Sequence, residues 1–102
     1  MIDLGKFSSA TIVLSGRTKG EKIREELHLK ENDEKPDLVE VVVPSEIVSM
    51  NSSFFLGLFG PSVLKLGEER FKKKYQFKAH DVILEDVYRG IRDALKSHMA
   101  LV

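Results

Sequence analysis

A chain of 102 residues and 11.6 kDa has room for one compact domain. Its 16 basic and 16 acidic side chains cancel, which excludes a globally basic nucleic-acid binder and an acidic disordered tail. Cysteine is absent, so a disulfide framework, a thiolate zinc site and a cysteine nucleophile are excluded too.

The first predicted element is an N-terminal strand, where Ile2 and Leu4 alternate about Asp3. Ala10–Leu14 is β-branched and apolar and closes on Ser15-Gly16. It reads as a second extended segment or one arm of a hairpin. From Thr18 to Leu29, Ile23 and Leu27 form a narrow apolar stripe among Glu21, Lys22, Arg24, Glu25 and Glu26, which predicts an amphipathic helix. The polar run Lys30–Asp37 contains Pro36 and reads as a surface loop. Leu38–Val43 is the clearest strand, and its nearly continuous apolar run predicts a strand covered on both faces or central in a sheet, with a charge at Val42 destabilising.

Asn51-Ser52-Ser53 then precedes the apolar run Phe54-Phe55-Leu56-Gly57-Leu58-Phe59. Asn or Ser in that place predicts an N-cap. Gly60-Pro61 predicts a kink or a restart, because Pro61 has no N–H for the Gly57 carbonyl. Gly67 ends the pattern. Glu68–Lys74 is a short charged turn or helix carrying Phe71. Tyr75, Phe77 and Ala79 alternate with polar residues as in an edge strand. A final helix runs from Asp81 to about Met99, with acids in its first turns. The order β-β-α-β-α-β-α predicts one α/β domain over residues 1–102, a mixed sheet with helices packed on it.

Catalytic and metal chemistry find little support. His28, His80 and His98 stand apart in sequence, and none has a second ligand at metal-binding spacing. The carboxylate pairs Glu25-Glu26 and Glu68-Glu69 lie among lysines, without a desolvated pocket to raise a pKa. Neither a phosphate-binding loop nor a nucleophile elbow is present. The reading is a non-enzyme with no cofactor and no metal. The first half of the chain is net acidic and the second net basic, with the excess in Arg70, Lys72, Lys73, Lys74 and Lys78. That cluster reads as a solvated edge, so no nucleic-acid partner is expected. Met1-Ile2-Asp3-Leu4 shows no basic region ahead of an apolar run, and Phe54–Val63 is about half the length of a membrane helix. A cytoplasmic protein without a membrane partner is expected.

The unusual segment is Asn51–Gly60. Ser52 and Ser53 sit where helix N–H groups lack partners and the dipole favours negative charge, so both are candidates for a helix cap or a phosphoacceptor. Asn51, Phe54, Phe55 and Leu58 around them form the candidate partner-binding surface.

Taken in order, Gly16-Arg17, Gly20–Arg24, the Val39–Val43 strand, Asn51-Ser52-Ser53-Phe54-Phe55, Leu58-Phe59-Gly60 and Phe71-Lys72-Lys73 resemble the STAS-like domain family of unknown function. The resemblance covers nearly the whole chain. It implies a four- or five-stranded mixed sheet with about three helices packed mainly on one side. Related STAS domains include anti-anti-sigma factors, in which a serine at a helix N-terminus is phosphorylated by a histidine-kinase-like ATPase and the unphosphorylated form binds that partner. Ser52, and second Ser53, fall at that element. Asn51 stands where those factors have an acid, and Phe54 where they have a glycine. The implied function is a non-catalytic regulatory interaction module with a protein partner. Two alternatives use the same segment: an anion- or nucleotide-sensing domain at the helix N-terminus, and a scaffold that forms a homodimer through Phe55, Leu58 or Phe59.

Overall fold

In the structure, a computed structural model that describes residues 1–7 and 13–100 and side chains up to residue 96, the valine-rich run forms β3 (Val39–Val42). It is the central strand of a three-stranded sheet, between β1 (Ile2–Asp3) and β5 (Tyr75–Lys78). Both pairings are parallel, with Ile2 opposite Val41 and Val41 opposite Phe77. A separate two-stranded parallel sheet joins β2 (Val13–Leu14) to β4 (Ser49–Met50). The described residues also form five α-helices: α1 (Arg17–Glu26), α2 (Leu29–Asn32), α3 (Ser52–Leu66), α4 (Glu68–Lys74) and α5 (Asp81–Ala100).

The expectation of one mixed sheet of four or five strands with about three helices is therefore corrected. The described strands form two small sheets, both wholly parallel. The physical reason lies in strand length. Leu4 turns into a 3-10 helix (Leu4–Phe7), with the Gly5 N–H donating to Asp3 Oδ1 at 2.9 Å, so β1 stops at two residues. Of the extended segment expected over Ala10–Leu14, only Val13 and Leu14 lie within the described residues. They pair with β4, so β2 is not one arm of a hairpin with β1.

Cover on both faces of β3 is corrected as well. Val39, Val41 and Val43 are buried, but Glu40 is exposed and Val42 half-buried. By strand alternation, Asp3, Glu40, Val42, Gln76 and Lys78 share the outer face, which is polar enough to meet water.

α3 is the centre of the molecule. Phe54, Phe55, Leu58, Phe59 and Val63 are fully buried, as expected of a helix that is apolar all round. It packs against α1 on one side and α5 on the other. The approach to α1 is backbone to backbone. A Cβ at Gly20 would stand 2.3 Å from the Phe54 carbonyl oxygen, and one at Gly57 would stand 2.2 Å from that of Arg17. Phe59, Phe71, Tyr75 and Phe77 stack between α3, α4 and β5, with ring centroids 5.0 to 6.2 Å apart.

Pro61 does not restart the helix, and α3 runs through it. Arg24 donates to the Leu58 carbonyl at 2.9 Å, one residue after the Gly57 carbonyl that Pro61 leaves without its helical donor. α1 ends three residues sooner than expected, because His28 adopts the left-handed conformation (φ 54°) and caps α2, which starts at Leu29 and runs into the expected loop.

Candidate functional site

The parallel pair β2–β4 aligns Leu14 with Met50, and Asn51 N–H donates to the Leu14 carbonyl at 2.7 Å. α1 starts just after β2, through Ser15 and Gly16 (φ 96°), and α3 starts just after β4. Two helices that pack together thus begin at the same end of one small sheet.

Asn51 is the N-cap of α3. Its Oδ1 accepts the Ser53 N–H at 2.7 Å, and its backbone is extended. Ser52 and Ser53 are the first two helical residues, so the assignment of either serine as the cap is corrected. The side-chain capping bond thus comes from the residue ahead of both serines. Asn51 and Ser53 are exposed and Ser52 is half-buried.

The expected partner surface is corrected as well. Phe54, Phe55 and Leu58 are fully buried, as is Phe59, so none of them offers a docking or dimer face. Phe55 lies against Gly90, where a Cβ would come within 2.4 Å of its ring. The Phe54 carbonyl and the Leu58 amide face Gly20. The aromatic run after the serines is core because α3 is enclosed by α1 and α5.

Electrostatics separate these helix starts from the others. α4 begins with Glu68 and Glu69 and α5 with Asp81, which offset their own dipoles. Neither α1 nor α3 has an acid in its first turn. α1 carries Arg17 there, in a loose exposed pair with Glu21 at 3.8 Å. This end of the molecule can therefore accept negative charge, and Ser53 on it is exposed.

A second constellation was not foreseen. Asp33, in the expected loop, is almost wholly buried and accepts from Arg24 Nη2 (2.9 Å), Ser62 Oγ (2.7 Å) and the Tyr75 hydroxyl (2.5 Å). Arg24 Nη1 also reaches Ser62 Oγ at 2.8 Å. Burial pushes the Tyr75 hydroxyl well above the usual tyrosine value, and the Asp33 carboxylate adds to the rise. A serine touching a carboxylate is a nucleophile's arrangement, but Ser62 is fully enclosed and its partners are all internal. The cluster ties α1, α2, α3 and β5 together. Its sequence signal was Ser62, a polar residue in the middle of the apolar part of α3.

The remaining candidates disperse. Lys74 is buried and donates to the Lys35 and Asp37 carbonyls, while Lys72 bridges to Glu68, so the basic run does not act as one patch. His80 Nε2 contacts the Ile47 carbonyl at 3.0 Å, His28 lies 3.8 Å from Glu31, and the side chain of His98 lies outside those described. Among the described residues, no group of three or more metal-ligating side chains occurs, and no helix is long and apolar enough to cross a membrane. Compared with protein-family models, with curated proteins and with solved structures, the chain matches none.

Proposed function

We propose that this domain is a regulatory protein-interaction module, read by its partner at the end where α1 and α3 begin and switched by phosphorylation in the first turn of α3. The observation that carries the reading is Ser53. Its hydroxyl is exposed between a satisfied cap and a buried aromatic core, beside two helix starts with no acid of their own. A phosphate adds a charge of about −1.5 to −2. There it is favoured by both dipoles, and it reverses the sign of the surface without disturbing Phe54 or Phe55. Ser52, half-buried, is the weaker acceptor. The STAS-like resemblance supports a histidine-kinase-like ATPase as the partner.

The test is a comparison of partner capture by wild type, Ser53→Ala, Ser53→Asp and the same pair at Ser52, with mass spectrometry of both serines. Ser53→Ala should bind like wild type, and Ser53→Asp should lose binding while melting within about 1 kcal/mol of it. Equal capture by all variants, with both serines unmodified, refutes the reading.

A second reading is favoured by the two helix starts that lack acids: a free phosphate or nucleotide is sensed at the same end. Calorimetric titration of the unmodified domain with inorganic phosphate and with nucleotides tests it. Binding that Arg17→Glu abolishes supports sensing, and no heat in any titration refutes it.

A further inference from the structure

β5 has β3 on one side and, among the described residues, no strand on the other. The Lys78 carbonyl accepts the Val43 N–H at 3.0 Å. Gln76 and Lys78 therefore turn their main chain toward β3, and Phe77 turns its N–H and carbonyl to the open side. Beside this edge lies a groove of about 230 Å³. Phe71, Tyr75 and Phe77 form one wall, and Leu84, Tyr88 and Ile91 of α5 form the other. Tyr88 is 45% exposed, whereas Val87 and Ile91 on the same helix are core. Lys72 is the one charged side chain that lines the groove. It reaches Glu68 at 2.8 Å and lies 5.1 Å over the Tyr88 ring.

These features specify the occupant. An open strand edge calls for extended main chain, which can pair with Phe77. The volume is below the ~300 Å³ at which pockets for drug-sized ligands begin, and suits a few aliphatic side chains. Two copies of one concave groove cannot fill each other, so a second copy of this chain is the poorer occupant. Lys72, at the wall beside Glu68, is the cation of the groove among the described residues and favours an occupant with negative charge.

We propose that the groove is a strand-addition site for an extended segment of another protein, one that alternates apolar residues with at least one acid. The site uses β5, α4 and α5 rather than the start of α3, so it stands or falls independently of the Ser53 switch.

The test pans a random dodecapeptide phage library on the intact chain, with Tyr88→Glu as counter-selection. Enriched peptides should alternate apolar residues and carry acids. A synthetic peptide of the enriched sequence should shift the amide resonances of Phe77 and Lys78. It should lose at least about tenfold in affinity when its central amides are N-methylated, and several-fold against Lys72→Glu. No enrichment, shifts confined to other elements, or equal binding by the N-methylated peptide would overturn the proposal. So would a wild-type dimer that protects the Phe77 amide, because a second copy would then hold the edge.

Discussion

Gly57→Ala tests the seam on which the fold turns. Its new Cβ would stand 2.2 Å from the Arg17 carbonyl oxygen and 3.0 Å from the Glu21 nitrogen, both backbone atoms that no rotamer can move. Carbon and oxygen approach no closer than about 3.3 Å in ordinary contacts, so α1 and α3 must part by about 1 Å. A gap of that size forfeits a quarter to a half of the dispersion energy across it. Ile23, Phe54 and Leu58 are buried at or near this seam, and a loss of ~0.7 kcal/mol from each comes to about 2 kcal/mol. Stretching the Arg24 bond to the Leu58 carbonyl adds ~1 kcal/mol. The better helix propensity of alanine returns about 1 kcal/mol. The net cost is ~2 kcal/mol, a fall of about 10–15 °C in Tm for a domain of this size. Gly60→Ala is the control. It lies one turn further along α3, and its Cβ meets only the Leu56 side chain at 3.8 Å. Propensity and the crowding of a residue before proline oppose each other there, so its stability should stay within about 1 kcal/mol of wild type. Thermal and urea unfolding followed by circular dichroism read both variants. If Gly57→Ala proves as stable as Gly60→Ala, the backbone contact between α1 and α3 is wrong.

Asp33→Ala should cost about 3–5 kcal/mol in urea unfolding, because it leaves Arg24 charged, largely enclosed and without its carboxylate; a loss below about 1 kcal/mol would show that the cluster is not buried. Tyr75 gives a pH signature. Its folded pKa lies above the ordinary value of 10.0, so its contribution is intact below pH 10 and lost as pH rises beyond it, when the unfolded chain ionises first. The fall in Tm above pH 10 should therefore be shallower in Tyr75→Phe than in wild type, and identical slopes would refute the assignment. His28→Gly should raise stability by about 0.5–1 kcal/mol, since a left-handed residue with a side chain is strained and glycine is not; a loss of stability would contradict the turn between α1 and α2.

Local pattern was enough to read the parts whose period is their own. The valine run became β3, the Ile23 stripe became α1, and the edge character of Tyr75–Lys78 followed from its wet lysines. Asn51-Ser52-Ser53 marked the start of α3, although only the structure placed the cap on the asparagine, whose side-chain oxygen takes the Ser53 N–H. Strand partnership was beyond the sequence. β4 is the two residues Ser49 and Met50, too short for any period, and it exists because its main chain lies alongside β2 and Asp86 accepts the Met50 N–H at 2.9 Å. Burial of the aromatic run was also decided in three dimensions. Phe54 and Phe55 would look the same on a docking face, but Gly20 and Gly90 let α1 and α5 close over them. Asp33 makes the same point for polar residues. Within Lys30–Asp37 it is one charge among several, and the Arg24, Ser62 and Tyr75 that make it core stand 9, 29 and 42 residues away along the chain. Periodicity is a property of neighbours in sequence, whereas pairing, enclosure and charge compensation belong to neighbours in space.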